Sequence, residues 1–408
     1  MSVTHESLPI TETIRPNSLE EVMETLQTAS RTGEPIYPVG GGTSLDYGCP
    51  ARQPGKALQL TDLSKVIEYP AEDMTITVQA GMTIRELSNI LAERGQQLPL
   101  DAPQADQATI GGVLATNTSG PRRFGFGTAR DYLIGVQAVD GLGRVFSGGG
   151  RVVKNVAGYD FCKMLIGSLG TLGVITQVTF KLKPRSTRRT IVSCQIDDME
   201  QLESVLASMI HSQTYPAALE FITGPKWSDL TDDENRLFAI FEGPDTDLEW
   251  MSQQVAQEWQ QQGVHNITTL GAEEAENLFS RLTEFPADEN TALTLKTNVV
   301  PSGITSMIQA ARELDSKCSI QAHAGSGIAN LIFEEFPAEG LSRSLTGFLR
   351  PAAANHHGNV TVLRNPGGQE MTRQSVWGGL DHPFWMMDRI KQQFDPQNIL
   401  NPERFVYS

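Results

Sequence analysis

A chain of 408 residues is longer than one hydrophobic core usually organises, which predicts two domains, and 39% hydrophobic residues suffice for both cores. The formal charge is −16, from 32 Lys and Arg against 48 Asp and Glu, and so acidic a surface repels phosphate backbones and anionic membranes, excluding nucleic acid as a partner. No apolar run would span a bilayer, residues 1–10 lack the basic start and apolar stretch of a secretory leader, and Cys49, Cys162, Cys194 and Cys318 are too dispersed for disulfides, zinc or an iron–sulfur cluster, so a reducing, cytoplasmic setting without direct membrane insertion is expected.

In chain order, Ser18-Leu19-Glu20-Glu21 is a capping box, and Leu19, Val22, Leu26 and Ala29 recur at helical spacing until Gly33 ends the pattern. A short apolar run, Pro35-Ile36-Tyr37, reads as a strand that enters a glycine turn. Strands follow over 57–60, 65–69 and 74–79, and Thr83-Ile84-Arg85-Glu86 caps a helix carrying Ile84, Leu87, Ile90 and Leu91 to near Gly95. A strong strand over 174–182 closes at Pro184, where a domain boundary is expected. Beyond it the pattern restarts as strand 190–195, helix 199–211 and strands 218–222 and 237–241, a βαββ opening. Helices over 247–262 and 272–281 read as solvated surface layers. Strands over 293–300, 319–324 and 328–333, helices over 303–314 and 339–350, and a helical then proline-punctuated stretch over 376–405 complete the chain, which shows no repeat in its sequence. The expected class is α+β.

Three glycine-rich runs carry the functional signal. Gly40-Gly41-Gly42-Thr43-Ser44 lets several N–H groups converge on one anion without Cβ atoms in the way, and Thr43 and Ser44 add hydroxyl donors; a flexible loop is the alternative. The run from Ala108 through Thr109-Ile110-Gly111-Gly112 to Asn117 and Gly120 is dominated by small residues, with Pro103 upstream; such a backbone can lie flat against an extended ligand, or pack as a helix tightly on a sheet. In the third, 167–175, glycines recur every third residue before Val174 and Ile175, which a plain glycine-rich turn also explains. None supplies the Gly-x-Gly-x-x-Gly of a Rossmann fold or a phosphate loop ending in Gly-Lys-Ser/Thr, so the site predicted belongs to another class of nucleotide fold.

Taken together and in this order, the three runs resemble the FAD-binding domain of the vanillyl-alcohol oxidase/p-cresol methylhydroxylase (PCMH-type) flavoproteins, over about residues 10–184. The stretch 151–160, with Lys154-Asn155-Val156-Ala157-Gly158, and the tail Phe394-Asp395-Pro396-Gln397-Asn398-Ile399-Leu400-Asn401-Pro402 are similar to the E-subunit family of glycolate oxidase (glycolate dehydrogenase). That resemblance implies an FAD-binding domain of two α/β subdomains over 1–185, a cap domain with an antiparallel sheet flanked by helices over 186–370, and a segment over 371–408 packing back on the FAD domain. It implies that Gly40, Gly41, Gly42, Thr43 and Ser44 hold the pyrophosphate, that Pro103, Thr109, Ile110, Gly111, Gly112, Asn117 and Gly120 line the cofactor channel, and that Gly173, Val174 and Ile175 lie along the flavin. The first loop has no histidine for a covalent bond, so non-covalent FAD is expected.

A flavin accepts hydride at its own ring, so the protein must position a substrate, supply a base and stabilise the reduced ring. Arg122, Arg123, Arg130, Lys154 and Lys163 are the cationic candidates, each with an ordinary solvated charge as the alternative. His323-Ala324-Gly325-Ser326-Gly327 has part of the outline of a metal-site segment in related 2-hydroxy acid dehydrogenases, and His356-His357 is the nearest pair, too incomplete a set to predict a metal. No catalytic residue is assigned. The resemblance therefore implies a partner-dependent flavoprotein that helps oxidise glycolate, a small 2-hydroxy acid, to glyoxylate. Its partners would be the D-type catalytic flavoprotein and the F-type iron–sulfur protein of glycolate oxidase, which would also hold it at the inner membrane. A self-sufficient FAD oxidoreductase acting on another alcohol or hydroxy acid and a non-catalytic FAD-bearing structural subunit are the alternatives. Trp377-Gly378-Gly379 and Pro383-Phe384-Trp385-Met386-Met387 form an apolar patch suited either to docking or to packing inward.

Overall fold

The computed structural model describes residues 8–150, 159–186, 188–231, 235–378 and 384–406. These divide into two compact units that are not contiguous in sequence: Met1–Ser119, Thr128–Arg185 and Gly379–Ser408 make the first, and Gly120–Gly127 with Ser186–Gly378 the second. The architecture is α+β.

The first unit opens with a three-stranded parallel sheet in the order Ile10–Ile14, Gly55–Gln59, Ile36–Val39. Helix Leu19–Thr32 begins where Ser18 Oγ accepts the Glu21 amide at 3.3 Å and stops at Gly33, whose φ of 70° a side chain would oppose. Its apolar stripe, Val22, Leu26 and Ala29, packs in one cluster with Ile36 and Leu58, so helical spacing in the sequence becomes the sheet's cover. A second, five-stranded antiparallel sheet runs in the order Val66–Glu68, Thr75–Gln79, Val174–Lys181, Leu133–Val139, Val145–Gly149. Its last two strands carry no sequence expectation, because Gly135, Gly148 and Gly149 dilute the alternation. The C-terminal tail completes this unit: Ile399 and Leu400 join the Val22–Leu26 cluster, and Ile399 O accepts the Ile36 amide at 2.7 Å.

The helical part of the stretch over 376–405 is two short helices, Arg373–Trp377 in the second unit and Phe384–Phe394 in the first, and the latter ends ahead of Pro396, where the expected proline-punctuated tail begins. Of the apolar patch, Trp385 and Met386 are exposed, whereas Gly379 and Pro383 lie outside the described residues.

The second unit is one eight-stranded antiparallel sheet in the order Thr268–Thr269, Arg188–Ile196, Asn235–Gly243, Ala218–Thr223, Ser319–His323, Ile328–Phe333, Leu293–Asn298, Asn359–Arg364. Its order contains a repeat the sequence does not display. Arg188–Ile196, helix Met199–Met209, Ala218–Thr223 and Asn235–Gly243 form one βαββ unit, and Leu293–Asn298, helix Ile304–Leu314, Ser319–His323 and Ile328–Phe333 form another. In each, the first strand pairs with the last and the last with the middle one; the two middle strands then pair, Glu220 opposite His323. Helix Ala272–Glu284 supplies Leu278, Phe279 and Leu282 to a cluster with Ile191, Ile222 and Ile240. The helix expected over 339–350 is broken in two by a wider turn over Leu345–Leu349 before Pro351.

Candidate functional site

Within the first unit the glycine runs converge on one cleft of about 1,020 Å³, its open mouth included. Gly40, Gly41, Gly42, Thr43 and Ser44 line it where strand Ile36–Val39 ends, with Gln59 Nε2 donating to Gly40 O at 2.5 Å to fix the turn. The glycines are required here by packing. A Cβ on Gly40 would lie 2.0 Å from Thr109 Oγ1 and one on Gly41 1.7 Å from Gln107 O, so the turn is pressed against the second run, while Gly42 takes φ 79°. Among the described residues, the amides of Gly41, Gly42, Thr43 and Ser44 donate to nothing within the chain. Four consecutive open amides at a cleft wall form a cradle for an anion.

The second run contributes differently. Pro103, Thr109, Gly111 and Gly112 line the cleft, and Thr109 caps helix Ile110–Thr116 by accepting the Gly112 amide at 3.3 Å. The Ile110 amide goes to Met82 O at 2.9 Å and that of Gly111 to Ala80 O at 2.8 Å. These donors are spent, so this helix start offers a ligand its shape and not its N–H groups. A Cβ on Gly111 would stand 3.0 Å from Ala80 Cβ, whereas one on Gly112 would meet only Thr109 Oγ1, at 3.2 Å, and otherwise open space. Ile110 points into the core, Asn117 closes the helix at φ 52° without lining the cleft, and Gly120 falls in the second unit. Gly173, Val174 and Ile175 also line it, at the start of strand Val174–Lys181.

Sequence reasoning missed two contributions. Thr116 and Thr118, whose hydroxyls are 2.7 Å apart, line the cleft beside the predicted residues. So do Asn401 and Arg404 of the tail: Asn401 Nδ2 donates to Leu169 O at 2.6 Å, and Arg404 Nη2 to Leu45 O at 2.5 Å and Tyr47 O at 2.6 Å. Burial pushes the Tyr47 phenol up to about 12, so that side chain stays protonated and uncharged.

The cationic candidates are engaged elsewhere. Arg130 donates to Lys163 O at 3.2 Å, Lys163 pairs with Asp160 at 2.9 Å, and Lys154 lies outside the described residues. In the second unit Arg122 stands 3.6 Å from Glu242 and over the Phe279 ring. His323 is buried in the sheet, its Nδ1 2.7 Å from Glu220 Oε1, while Gln321 Nε2 donates to the other oxygen at 3.0 Å. The pair sits at the seam of the two βαββ units, which accounts for the histidine structurally. Among the described residues no three His, Cys, Asp or Glu side chains gather as a metal set.

Lys296, on the same sheet, has its pKa lowered to about 8 by burial and then by the like charge of Arg123. A depressed amine penalises the folded state fully below that value, and the penalty fades as pH rises towards the ordinary lysine value of about 10.4. Lys296→Met is therefore expected to be more stable than the wild type at pH 7, with an advantage that shrinks between pH 8 and 10 in urea titrations; a pH-independent difference would refute the burial account.

The comparisons with known proteins agree with the cleft. The family described as FAD binding domain matches residues 11–149, and the C-terminal domain of FAD linked oxidases matches 382–405, the tail that brings Asn401 and Arg404. The chain is 28% identical to a D-lactate dehydrogenase of Archaeoglobus fulgidus, over 96% of this chain and 90% of that one. It is 26% identical to glycolate oxidase subunit GlcD of Bacillus subtilis, over 95% and 87%. With glycolate oxidase subunit GlcE of Escherichia coli the identity is 29% over 46% of this chain and 53% of the relative. The solved structure of p-cresol methylhydroxylase matches with a TM-score of 0.75 over 98% of this chain and 91% of that one at 15% identity, a likeness of fold. The chain has the PCMH-type FAD-binding fold and is an FAD-dependent oxidoreductase. The residues present fit the cofactor: the open amides of 41–44 suit its diphosphate, and the small-residue wall at Gly112 leaves room for an extended molecule.

Proposed function

We propose that this chain is the FAD-bearing E-type component of a glycolate-oxidising dehydrogenase, acting on a short 2-hydroxy acid and passing electrons to D-type flavoprotein and F-type iron–sulfur partners. The observation that carries the substrate class is likeness over nearly the whole chain to two proteins whose names specify D-lactate and glycolate. The E-type role draws on the 29% identity with GlcE, and on His323 being held inside the sheet by Glu220. Bound FAD supplies the two-electron acceptor for an alcohol carbon. This chain's part is to hold it: amides 41–44 at the diphosphate, Thr109, Gly111 and Gly112 along its length, and Gly173 to Ile175 beside the ring, without a covalent bond.

A second reading, a dehydrogenase competent alone, is favoured by the 90% coverage of the D-lactate enzyme. Anaerobic addition of glycolate and of D-lactate to the flavin-loaded chain, alone and with the flavoprotein and iron–sulfur partners, separates the two. Bleaching at 450 nm only in the assembled complex is the expected result. Bleaching by the isolated chain establishes the second reading, and a flavin of this chain that stays oxidised in an active complex makes it a structural cofactor. Acid precipitation is expected to release all the colour into the supernatant.

A further inference from the structure

We propose that Arg404 is itself a cofactor-binding residue, the fixed positive charge that the C-terminal tail presents to the diphosphate at the open amides of residues 41–44. Arg404 lines the same cleft as that turn and is only 6% exposed. Its guanidinium is fastened by one nitrogen, Nη2, to the carbonyls of Leu45 and Tyr47, immediately after the open amides, and its own carbonyl accepts the Cys49 amide at 3.0 Å.

The rest of the group is unspent. Among the described residues Nε and Nη1 make no bond within the chain, and neither belongs to the polar atoms sealed away without a partner, so both keep some exposure on a side chain that lines the cleft. Arg350, another arginine held by carbonyls alone, differs by donating from all three nitrogens. Among the described residues no carboxylate is paired with Arg404: Asp46 acts on it only through space, and neighbouring Glu403 accepts from Gln53 at 3.1 Å. A buried cation without a counter-ion is costly, and a planar fork with two free nitrogens matches phosphate oxygens. The open amides supply hydrogen bonds but no net charge, so the two groups are complementary.

This inference rests on the cleft being the FAD site, and the test separates the two. Apoprotein of the full chain is titrated with FAD and with riboflavin, which lacks phosphate, following flavin fluorescence at low and moderate salt in the wild type, Arg404→Gln and Arg404→Lys. Arg404→Gln should weaken FAD by about 10–100-fold, the size of charge-assisted bonds, and flatten its salt dependence while leaving riboflavin unchanged. Arg404→Lys should restore most of the salt dependence. Equal weakening of FAD and riboflavin with a lowered melting temperature would reduce Arg404 to a clasp on the 45–49 loop and overturn the proposal, as would FAD affinity unchanged in Arg404→Gln. Failure of the wild type to take up FAD would overturn the site itself.

Discussion

Gly112→Val is expected to give a folded chain that purifies without flavin colour. In helix Ile110–Thr116 the substitution costs little in propensity, under about 1 kcal/mol relative to glycine in either direction. Only Thr109 Oγ1 crowds the new Cβ, at 3.2 Å, and the remaining directions lead into the cleft, where the two methyl groups would take ligand volume. Flavin content read from the 450 nm to 280 nm absorbance ratio should fall by at least about tenfold, equivalent to some 1.4 kcal/mol of lost affinity, while the far-ultraviolet circular dichroism is unchanged. Full colour in Gly112→Val would remove the helix start from the site. Gly111→Val and Gly41→Ala are poorer probes because their Cβ atoms would strike Ala80 and the Gln107 carbonyl, so lost colour there would report damaged packing.

That contrast shows what was legible in the sequence and what was not. The runs 40–44, 109–112 and 173–175 were each readable as ligand-facing with an ordinary loop, packing or turn alternative, their order joined them through the resemblance to an FAD-binding domain, and residues of all three line one cleft. Their individual jobs were not readable. Gly40 and Gly41 are demanded by neighbours some seventy positions away, and the Thr109 helix start, read only as a backbone flat enough to lie against a ligand, spends its amides on Met82 and Ala80. Local signals succeeded where the partner is local, as at the Ser18 and Thr83 caps. They failed at Arg404, whose acceptors Leu45 and Tyr47 lie 359 and 357 positions away in a tail whose prolines hide any periodicity. The two βαββ units went unseen for a related reason: their likeness lies in strand order, which pairing sets, and equivalent positions carry residues as different as Glu220 and His323.

Removing one carboxylate from the tail should have the largest effect on stability. Lys391 and Asp395, one helical turn apart across the end of helix Phe384–Phe394, are both buried, with Lys391 Nζ 2.5 Å from Asp395 Oδ2. The ammonium also donates to Thr171 O at 2.9 Å and Leu400 O at 3.1 Å, while the carboxylate accepts the Ile399 amide at 3.1 Å and the Leu400 amide at 2.7 Å. Burial lowers the Lys391 pKa against the opposing pull of Asp395, so the lysine depends on that partner to remain charged. Asp395→Ala strands a cation and two amides together, and the expected loss is about 3–5 kcal/mol in urea unfolding of the apoprotein. Because Thr171 directly follows cleft-lining Gly170, and Asn401 directly follows Leu400, flavin content should fall as well. Adding Lys391→Met to the Asp395→Ala background should recover much of the stability, since the stranded charge disappears with it. Asp395→Ala unfolding within about 1 kcal/mol of the wild type, the range of exposed ion pairs, would show that the tail is held by its apolar residues Ile399 and Leu400 alone.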